Sequence, residues 1–502
     1  MSATLAALPI AGLLVLMLGL RWSSAAAGIA SLVAALGIAL TAFDYGAGAL
    51  GRGRAVLGVF AEAGFSALSI AWILLPALAI YQLQRRTGAL EVLQNAIRRV
   101  THEPAIVALL IAWFFALFLE GAAGFGTPVA LAAPFLVSAG FKPIQAVTLA
   151  LIGHAAGVAF GAIGTPIQAQ VTATGLDPRE LARAAGIYVA VIGWVIPVAM
   201  MIVVRRGAEP GTGSGRGVWG WTAIAAALFA VPYYVVARWL GPELPTLAGG
   251  LLGGLGFALL WQLQAGRPRD TAPASIATSR VIIAAAPYLL LIVLVLATRL
   301  IPPVRAALGV RWTWTLFGQF EGTLQLLQHP GSLLLASLLL GAAVQRASLR
   351  TTGDALATAL RQLGPVVLAL VAVLALSRLM VHAGMIRSLA EAAARGAGPV
   401  WPVLAPFVGL LGSFVTGSAT SSNILFTEFQ AATAAQADLA IPRTLGAQSF
   451  GAATGNMIAP MNVVAGAATV GLVGREGEIL RTTLAICLGY TLLGGLLTWW
   501  LA

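Results

Sequence analysis

Phe118-Leu-Glu-Gly-Ala-Ala-Gly-Phe-Gly-Thr-Pro128 breaks a long apolar run with glycine, threonine and proline. A second break, Phe160-Gly-Ala-Ile-Gly-Thr-Pro166, follows it. The other half of the chain repeats the pair, as Gly412-Ser-Phe-Val-Thr-Gly-Ser-Ala-Thr-Ser-Ser-Asn423 and then Gly451-Ala-Ala-Thr-Gly-Asn456. Gly126 lies 38 positions before Gly164, and Gly417 lies 38 before Gly455. Apolar helices avoid such breaks, because each freed N–H or C=O is costly in lipid. Paired breaks at matching places in two halves point to the substrate site of a secondary transporter.

Around these breaks the composition is that of a polytopic membrane protein. The 502 residues are 59% hydrophobic and 9% charged, with a mean hydropathy of +0.92; soluble domains carry far more charge. The formal charge of +12 rests on arginine, since Lys142 is the only lysine. In such a chain a basic excess reflects loops on one side of the membrane, so nucleic acid is not expected as a partner. Cys487 is alone, and His102, His154, His329 and His382 are scattered, so no disulfide, metal centre or cofactor is expected. The first apolar stretch reads as a span and not as a cleaved leader, because it lacks a basic start and Arg21 follows it.

Twelve spans are expected, at 3–20, 23–43, 62–83, 143–172, 185–204, 220–240, 242–263, 281–301, 332–347, 355–380, 442–472 and 482–500. Two further stretches, 104–140 and 400–437, each read as two short arms about a Gly/Thr/Ser tip. Arms of about 15 residues are too short for a core of about 30 Å. Re-entrant hairpins fit them, with two kinked spans apiece as the alternative. An amphipathic helix precedes each stretch: Gly88–Arg99 aligns with Gly384–Arg395, an offset of 296 against 291 for the breaks. The expected fold is an all-α polytopic membrane protein, an inverted repeat with two re-entrant hairpins and two broken transmembrane helices.

The arginines set an orientation. With the N-terminus outside, Arg21, Arg85, Arg86, Arg98, Arg99, Arg205, Arg206, Arg216, Arg267, Arg269, Arg280, Arg346, Arg350, Arg475 and Arg481 fall inside, and fewer fall outside, among them Arg52, Arg54, Arg305 and Arg311. The two amphipathic helices then lie at opposite faces. Residues 1–86 and 205–380 read as scaffold helices, and 87–204 and 381–502 as two transport units. Within the second scaffold part, Arg205–Val218 and Ala265–Ser279 read as linkers, and Pro302–Gly331, with Trp312, Trp314, Phe317 and Phe320, as an external interfacial cap.

The segments FLEGAAGFGTPVALAAP from Phe118, FGAIGTPI from Phe160, GSFVTGSATSSNILF from Gly412, GNMIAPMNVVA from Gly455 and VGLVGREGEILR from Val470 closely resemble the lactate permease family. These are bacterial 2-hydroxy-monocarboxylate transporters, and the resemblance covers essentially the whole chain. It implies proton-driven import of L-lactate, D-lactate or glycolate across the bacterial inner membrane; separately, no HExxH, DxxD, CxxC or GxxxxGK(S/T) pattern occurs, so neither an enzyme nor a primary pump is expected. The resemblance also implies the wider ion-transporter superfamily, often dimeric, in which Ser/Asn/Thr tips ligate sodium in the sodium-coupled members. Sodium coupling and an anion channel are the alternatives to proton symport.

A carboxylate substrate suits half-helix N-termini, which offer partial positive charge and free N–H donors. The candidate substrate residues are therefore those of the breaks: Gly126, Thr127, Gly164, Thr165, Thr416, Gly417, Ser418, Thr420, Ser422, Asn423, Gly455 and Asn456. Their hydroxyls and amides either bind substrate or satisfy the backbone that the glycines free. Glu120 is the candidate proton carrier, since burial penalises its charged form; a structural cap or an arginine partner is the alternative. His154 is placed for a relay or for a helix–helix hydrogen bond. Arg378 is placed to meet the substrate carboxylate or Glu120, or to reach the interface along its stem.

Overall fold

The computed structural model describes residues 2–502 except Gly19, Arg21, Arg99, His102, Phe125, 208–216, 266–276, Val473 and Gly474. Expectations placed on Arg21, Arg99, His102, Arg216, Arg267 and Arg269, and on most of the two linkers, lie outside the described residues.

Among the described residues, seven helices are long and apolar enough to cross a membrane, or up to ten if each of three bent pairs is one span. Twelve were expected. The shortfall lies in helices such as Ser2–Leu18 and Pro330–Val344, which are apolar but short. Two helices are longer than read: Arg52–Arg86 has 35 residues and Leu349–His382 has 34. They pack along each other, and Leu349–His382 also packs against Ser24–Thr41. With Ser2–Leu18 these helices share one apolar core, while both hairpins and both broken helices share another.

Each hairpin is present. In the first, a helical arm runs from Pro104 to Ala122 through a π-helical stretch, Leu109–Phe115, and the return arm is Thr127–Ser138. Phe115 and Phe135 meet edge to face across the arms, 5.9 Å between centroids. The second joins Trp401–Thr416 to Ala419–Gln436. One expectation fails here: the 19 residues of Pro104–Ala122 span about 28 Å at about 1.5 Å each, so that arm is not too short to cross. The amphipathic helices Ala89–Arg98 and Met385–Ala397 precede the hairpins as read.

The helices are broken, but not in the register read from the glycines. The first half-helix, Pro143–Ala155, is followed by a 3-10 turn, Val158–Phe160, and by Gly161–Thr174, at a bend of 61°. In the second half, Ile441–Gly455 is followed by Pro460–Thr469. Counted from Pro143 and Ile441, Gly455 corresponds to Gly157 and not to Gly164. The first break is longer because it holds an extra left-handed turn.

The fold is not all helix. Trp312–Leu316 and Phe320–Leu324 pair as an antiparallel hairpin, with Trp314 opposite Gly322. Alternating Trp and Thr favour a strand, and Phe317 and Gly318, both at positive φ (53° and 70°), make the tight turn that matches strand twist. The hairpin lies on Arg52–Arg86: the Phe320 ring fills the space over Gly58, and Trp314 meets Phe65 edge to face.

Candidate functional site

The first break is held in an unfavourable conformation. Ala162, Ile163 and Gly164 are consecutive left-handed residues, with φ of 44°, 57° and 76°. For a non-glycine residue that costs about 1–2 kcal/mol, and a β-branched residue such as Ile163 is rarely found there. The Thr165 hydroxyl donates to the Ala162 carbonyl at 2.5 Å. Gly164 sits so close to Pro242 that a Cβ would lie 2.2 Å from its carbonyl oxygen.

The second break is held by side-chain amides. Asn462 Nδ2 donates to Asn456 Oδ1 at 2.5 Å and to the Asn456 carbonyl at 3.1 Å. Asn456 Nδ2 in turn donates to Ser413 Oγ on the second hairpin at 3.0 Å.

Both hairpin tips turn on glycine at positive φ, Gly124 and Gly126 in the first and Gly417 in the second. The Thr127 hydroxyl donates to the Gly124 carbonyl (2.7 Å). Ser418 caps the helix Ala419–Gln436 by accepting from the Ser421 N–H.

All four segments meet at one small cavity. Glu120 and Gly124 come from the first hairpin, Ala162 and Pro166 from the first break, Ser418 and Thr420 from the second hairpin, and Asn456 from the second break. The cavity measures about 30 Å³, room for a water or two and not for a three-carbon acid. Glu120 is buried. Among the described residues its carboxyl has no ion pair and no hydrogen bond. Gly161 leaves it room, since a Cβ there would lie 2.2 Å from Glu120 Oε1. The capped N-terminus of Ala419–Gln436 brings a partial positive charge to the same cavity.

The other candidates are distributed around it. Gly417 lines the cavity, and Gly126 stands beside Asn462, whose Oδ1 a Cβ would approach to 3.3 Å. Thr165 is fully buried behind the break, and Gly455 packs on the Leu410 carbonyl. Thr416 and Ser422 donate to the carbonyls of Gly412 and Gly409. Asn423 Nδ2 donates to the Pro166 carbonyl and to Ser449 Oγ, both at 2.9 Å, while its Oδ1 is buried without a partner. Two candidates lie away from the cavity. His154 Nδ1 donates to the Ala150 carbonyl one turn earlier in its own helix.

Arg378 does not meet Glu120. Its guanidinium donates to Glu428 Oε1 at 3.2 Å and to the Thr172 carbonyl at 2.9 Å. It thus ties the long helix Leu349–His382 to the end of Gly161–Thr174 and to the second hairpin. Arg378→Met would leave a partly buried carboxylate and a helix-terminal carbonyl without their donor. The expected cost is about 2–4 kcal/mol, read as a lower thermal midpoint of the purified protein in detergent. Arg378→Lys should recover only part of it, since an ammonium lacks the planar fork. An unchanged midpoint in Arg378→Met would contradict this role.

A layer of polar residues, of which only Ser422 is a sequence candidate, lies behind the cavity. Ser449 Oγ donates to Gln170 Oε1 (3.0 Å), and Gln430 Nε2 donates to Gln448 Oε1 (2.9 Å). Gln448 Nε2 reaches Ser422 Oγ, and Trp401 Nε1 donates to Gln430 Oε1. The signal was available, because an uncharged amide in an apolar span is costly unless paired. A further pair, His382 Nε2 to Glu62 Oε2 at 2.8 Å, anchors the β-hairpin, whose Glu321 N–H donates to Glu62 Oε1.

Known proteins resemble the chain as a whole. The chain is 29% identical to the glycolate permease GlcA of Escherichia coli strain K12, over 99% of this chain and 95% of that protein. It is 31% identical to an L-lactate permease of Streptococcus iniae, over 72% and 77%, and 29% identical to that of Bacillus subtilis strain 168, over 92% and 89%. Among solved structures, Neisseria gonorrhoeae MtrF superposes with a TM-score of 0.50 at 15% identity, over 94% of each chain, which speaks to the fold alone. The family model for L-lactate permease matches residues 2–502, and the chain therefore belongs to the L-lactate permease family of membrane transporters.

Proposed function

We propose that this protein imports a 2-hydroxy-monocarboxylate (L-lactate, D-lactate or glycolate) by proton symport across the bacterial inner membrane. One observation carries the reading: an unpaired buried carboxyl, Glu120, shares a cavity with a helix N-terminus and with both breaks. Anion and proton are thereby offered neighbouring places. Ser418, Thr420 and Asn456 supply hydroxyl and amide groups for the carboxylate and the 2-hydroxyl, and the glycines let the backbone approach. Gly126, Thr127, Gly164, Thr165 and Asn423 shape the breaks around that site.

The coupling follows from charge. A monoanion entering against a negative-inside potential costs about 2.3 kcal/mol per 100 mV. One proton carried with it cancels that cost. The cavity in this conformation is too small for the substrate, so transport requires the hairpins and the broken helices to part. In this reading the halves are inverted repeats, the hairpins are re-entrant, and the N-terminus lies outside. The two transport units, 87–204 and 381–502, move against the scaffold formed by the long helices.

The test is uptake into proteoliposomes. Labelled lactate or glycolate should accumulate when the lumen is more alkaline than the medium, and accumulation should collapse with a protonophore. Accumulation that follows a sodium gradient and ignores pH would overturn the proton reading.

A further inference from the structure

A second cavity, of about 240 Å³, lies between the long helices Arg52–Arg86 and Leu349–His382 and reaches the first hairpin tip at Thr127. Its walls are mostly leucine and valine, with three polar side chains, Tyr81, Gln362 and Thr127. The Thr127 hydroxyl hydrogen is committed to the Gly124 carbonyl. Gln362 Oε1 accepts from Gln82 Nε2 at 3.2 Å. The Tyr81 hydroxyl and the Gln362 amide hydrogens remain as donors toward the space. Both are neutral donors of the kind a carboxylate accepts from.

Two arginines lie further along Arg52–Arg86 without lining the cavity. The Arg85 guanidinium lies 5.8 Å from the centroid of the Tyr81 ring. Arg86 Nη2 donates to Thr358 Oγ1 at 2.7 Å. Tyr81 and Arg85 are four apart on one helix, and Thr358 and Gln362 are four apart on the other, so each pair shares a helix face. Two stripes therefore lead from exposed arginines, past a donor, to the hairpin tip.

A groove of similar size elsewhere makes the contrast. It is lined by alanine, valine, Trp194, Trp219 and Thr222; one arginine, Arg205, lies 5.7 Å from the centroid of the Trp219 ring, and the Thr222 hydroxyl is committed to the Val218 carbonyl. The cavity at Thr127 differs in its Tyr81 hydroxyl and Gln362 amide and in having two arginines beside its polar residues.

We infer that the cavity at Thr127 is an anion vestibule, a second and weaker site for the substrate carboxylate. It lies between the first hairpin tip and the face that carries Arg85 and Arg86, with Tyr81 and Gln362 as donors. The inference rests on the transport reading above. It adds a route and two specificity residues to it.

Thiol labelling of Gln362→Cys in the full-length protein tests the cavity without any substrate, because the single native cysteine, Cys487, is buried. Rates with a sulfonate-bearing and a trimethylammonium-bearing methanethiosulfonate are each divided by the rate with free cysteine. The sulfonate should lead by about tenfold, as local positive potential concentrates anions. Equal rates, or reaction only with a membrane-permeant alkyl maleimide, would overturn the vestibule. Transport then tests the donors. Where wild type takes up lactate, Tyr81→Phe and Gln362→Leu should each raise KM by about 3- to 10-fold, the worth of one hydrogen bond partly replaced by water, with a smaller change in kcat. An unchanged KM in both variants would remove the carboxylate from this cavity. If wild type takes up neither lactate nor glycolate, the transport reading fails, while the labelling rates still decide whether the cavity attracts anions.

Discussion

Glu120→Gln is expected to abolish pH-driven accumulation of substrate while leaving counterflow in place. At one proton per anion, a gradient of one pH unit supports about tenfold accumulation, equivalent to about 1.4 kcal/mol. The variant should fall to no accumulation at all. The argument is local. Glu120 faces the cavity where the two breaks and the two tips meet, and none of the described residues neutralises it. As the neutral acid it donates a hydrogen bond to a bound carboxylate; as the anion it repels one. Glutamine keeps a donor and loses the proton. Loading and exchange of labelled for unlabelled substrate should therefore continue, while coupling is lost. Continued accumulation by the variant against a gradient would remove Glu120 from the coupling step. His154 does not line this cavity and is bonded to its own helix, so a residue elsewhere would then have to be sought.

The convergence of four segments was legible because polar and small residues are scarce in this chain, and each cluster of them marks a place where helix geometry stops. The amphipathic helices were legible for a similar reason, since charge on one face survives a simple count by threes and fours. The exact register of the breaks was not. Glycine spacing measures chain length, whereas the first half-helix stops at Ala155 and the left-handed turn comes later. Nothing in Ala162 or Ile163 favours that conformation; tertiary contacts such as Pro242 against Gly164 impose it. The β-hairpin carries its alternation openly, in Trp312-Thr-Trp-Thr-Leu316, but the same aromatics equally fit an interfacial cap. Arg378 was legible as a costly intramembrane charge, yet its partner was not. Glu428 lies 50 positions away, in a hairpin arm judged by its apolar residues. Gln170, Gln430 and Gln448 sit in helices where hydropathy averages them away.

Glycine-to-alanine substitutions at two kinds of close contact should separate the site from the fold. At Gly161, φ is −63° and ψ is 156°, a conformation alanine adopts without strain. The added Cβ would lie 2.2 Å from Glu120 Oε1, the far end of a flexible side chain. Rotation of that carboxyl relieves the clash, so Gly161→Ala should elute and melt like wild type. It should nevertheless lose most proton-driven uptake, because the carboxyl is turned away from its place in the cavity. At Gly153 the Cβ would meet a backbone carbonyl, that of Ala112, at 1.8 Å. At Gly451 it would meet the carbonyl of Pro406 at 1.7 Å. Backbone cannot rotate aside. In each half a broken helix packs on a hairpin arm at that point, and the two must separate. Alanine gains about 1 kcal/mol of helix propensity over glycine, but overpacking costs about 1–3 kcal/mol or more, and contacts this short belong at the upper end. Gly153→Ala and Gly451→Ala should therefore lower the thermal midpoint and the yield of monodisperse protein in detergent. Normal uptake by Gly161→Ala would mean that transport does not depend on where the Glu120 carboxyl sits. A wild-type melting profile for Gly153→Ala and Gly451→Ala would mean that the broken helices do not pack on the hairpins this closely.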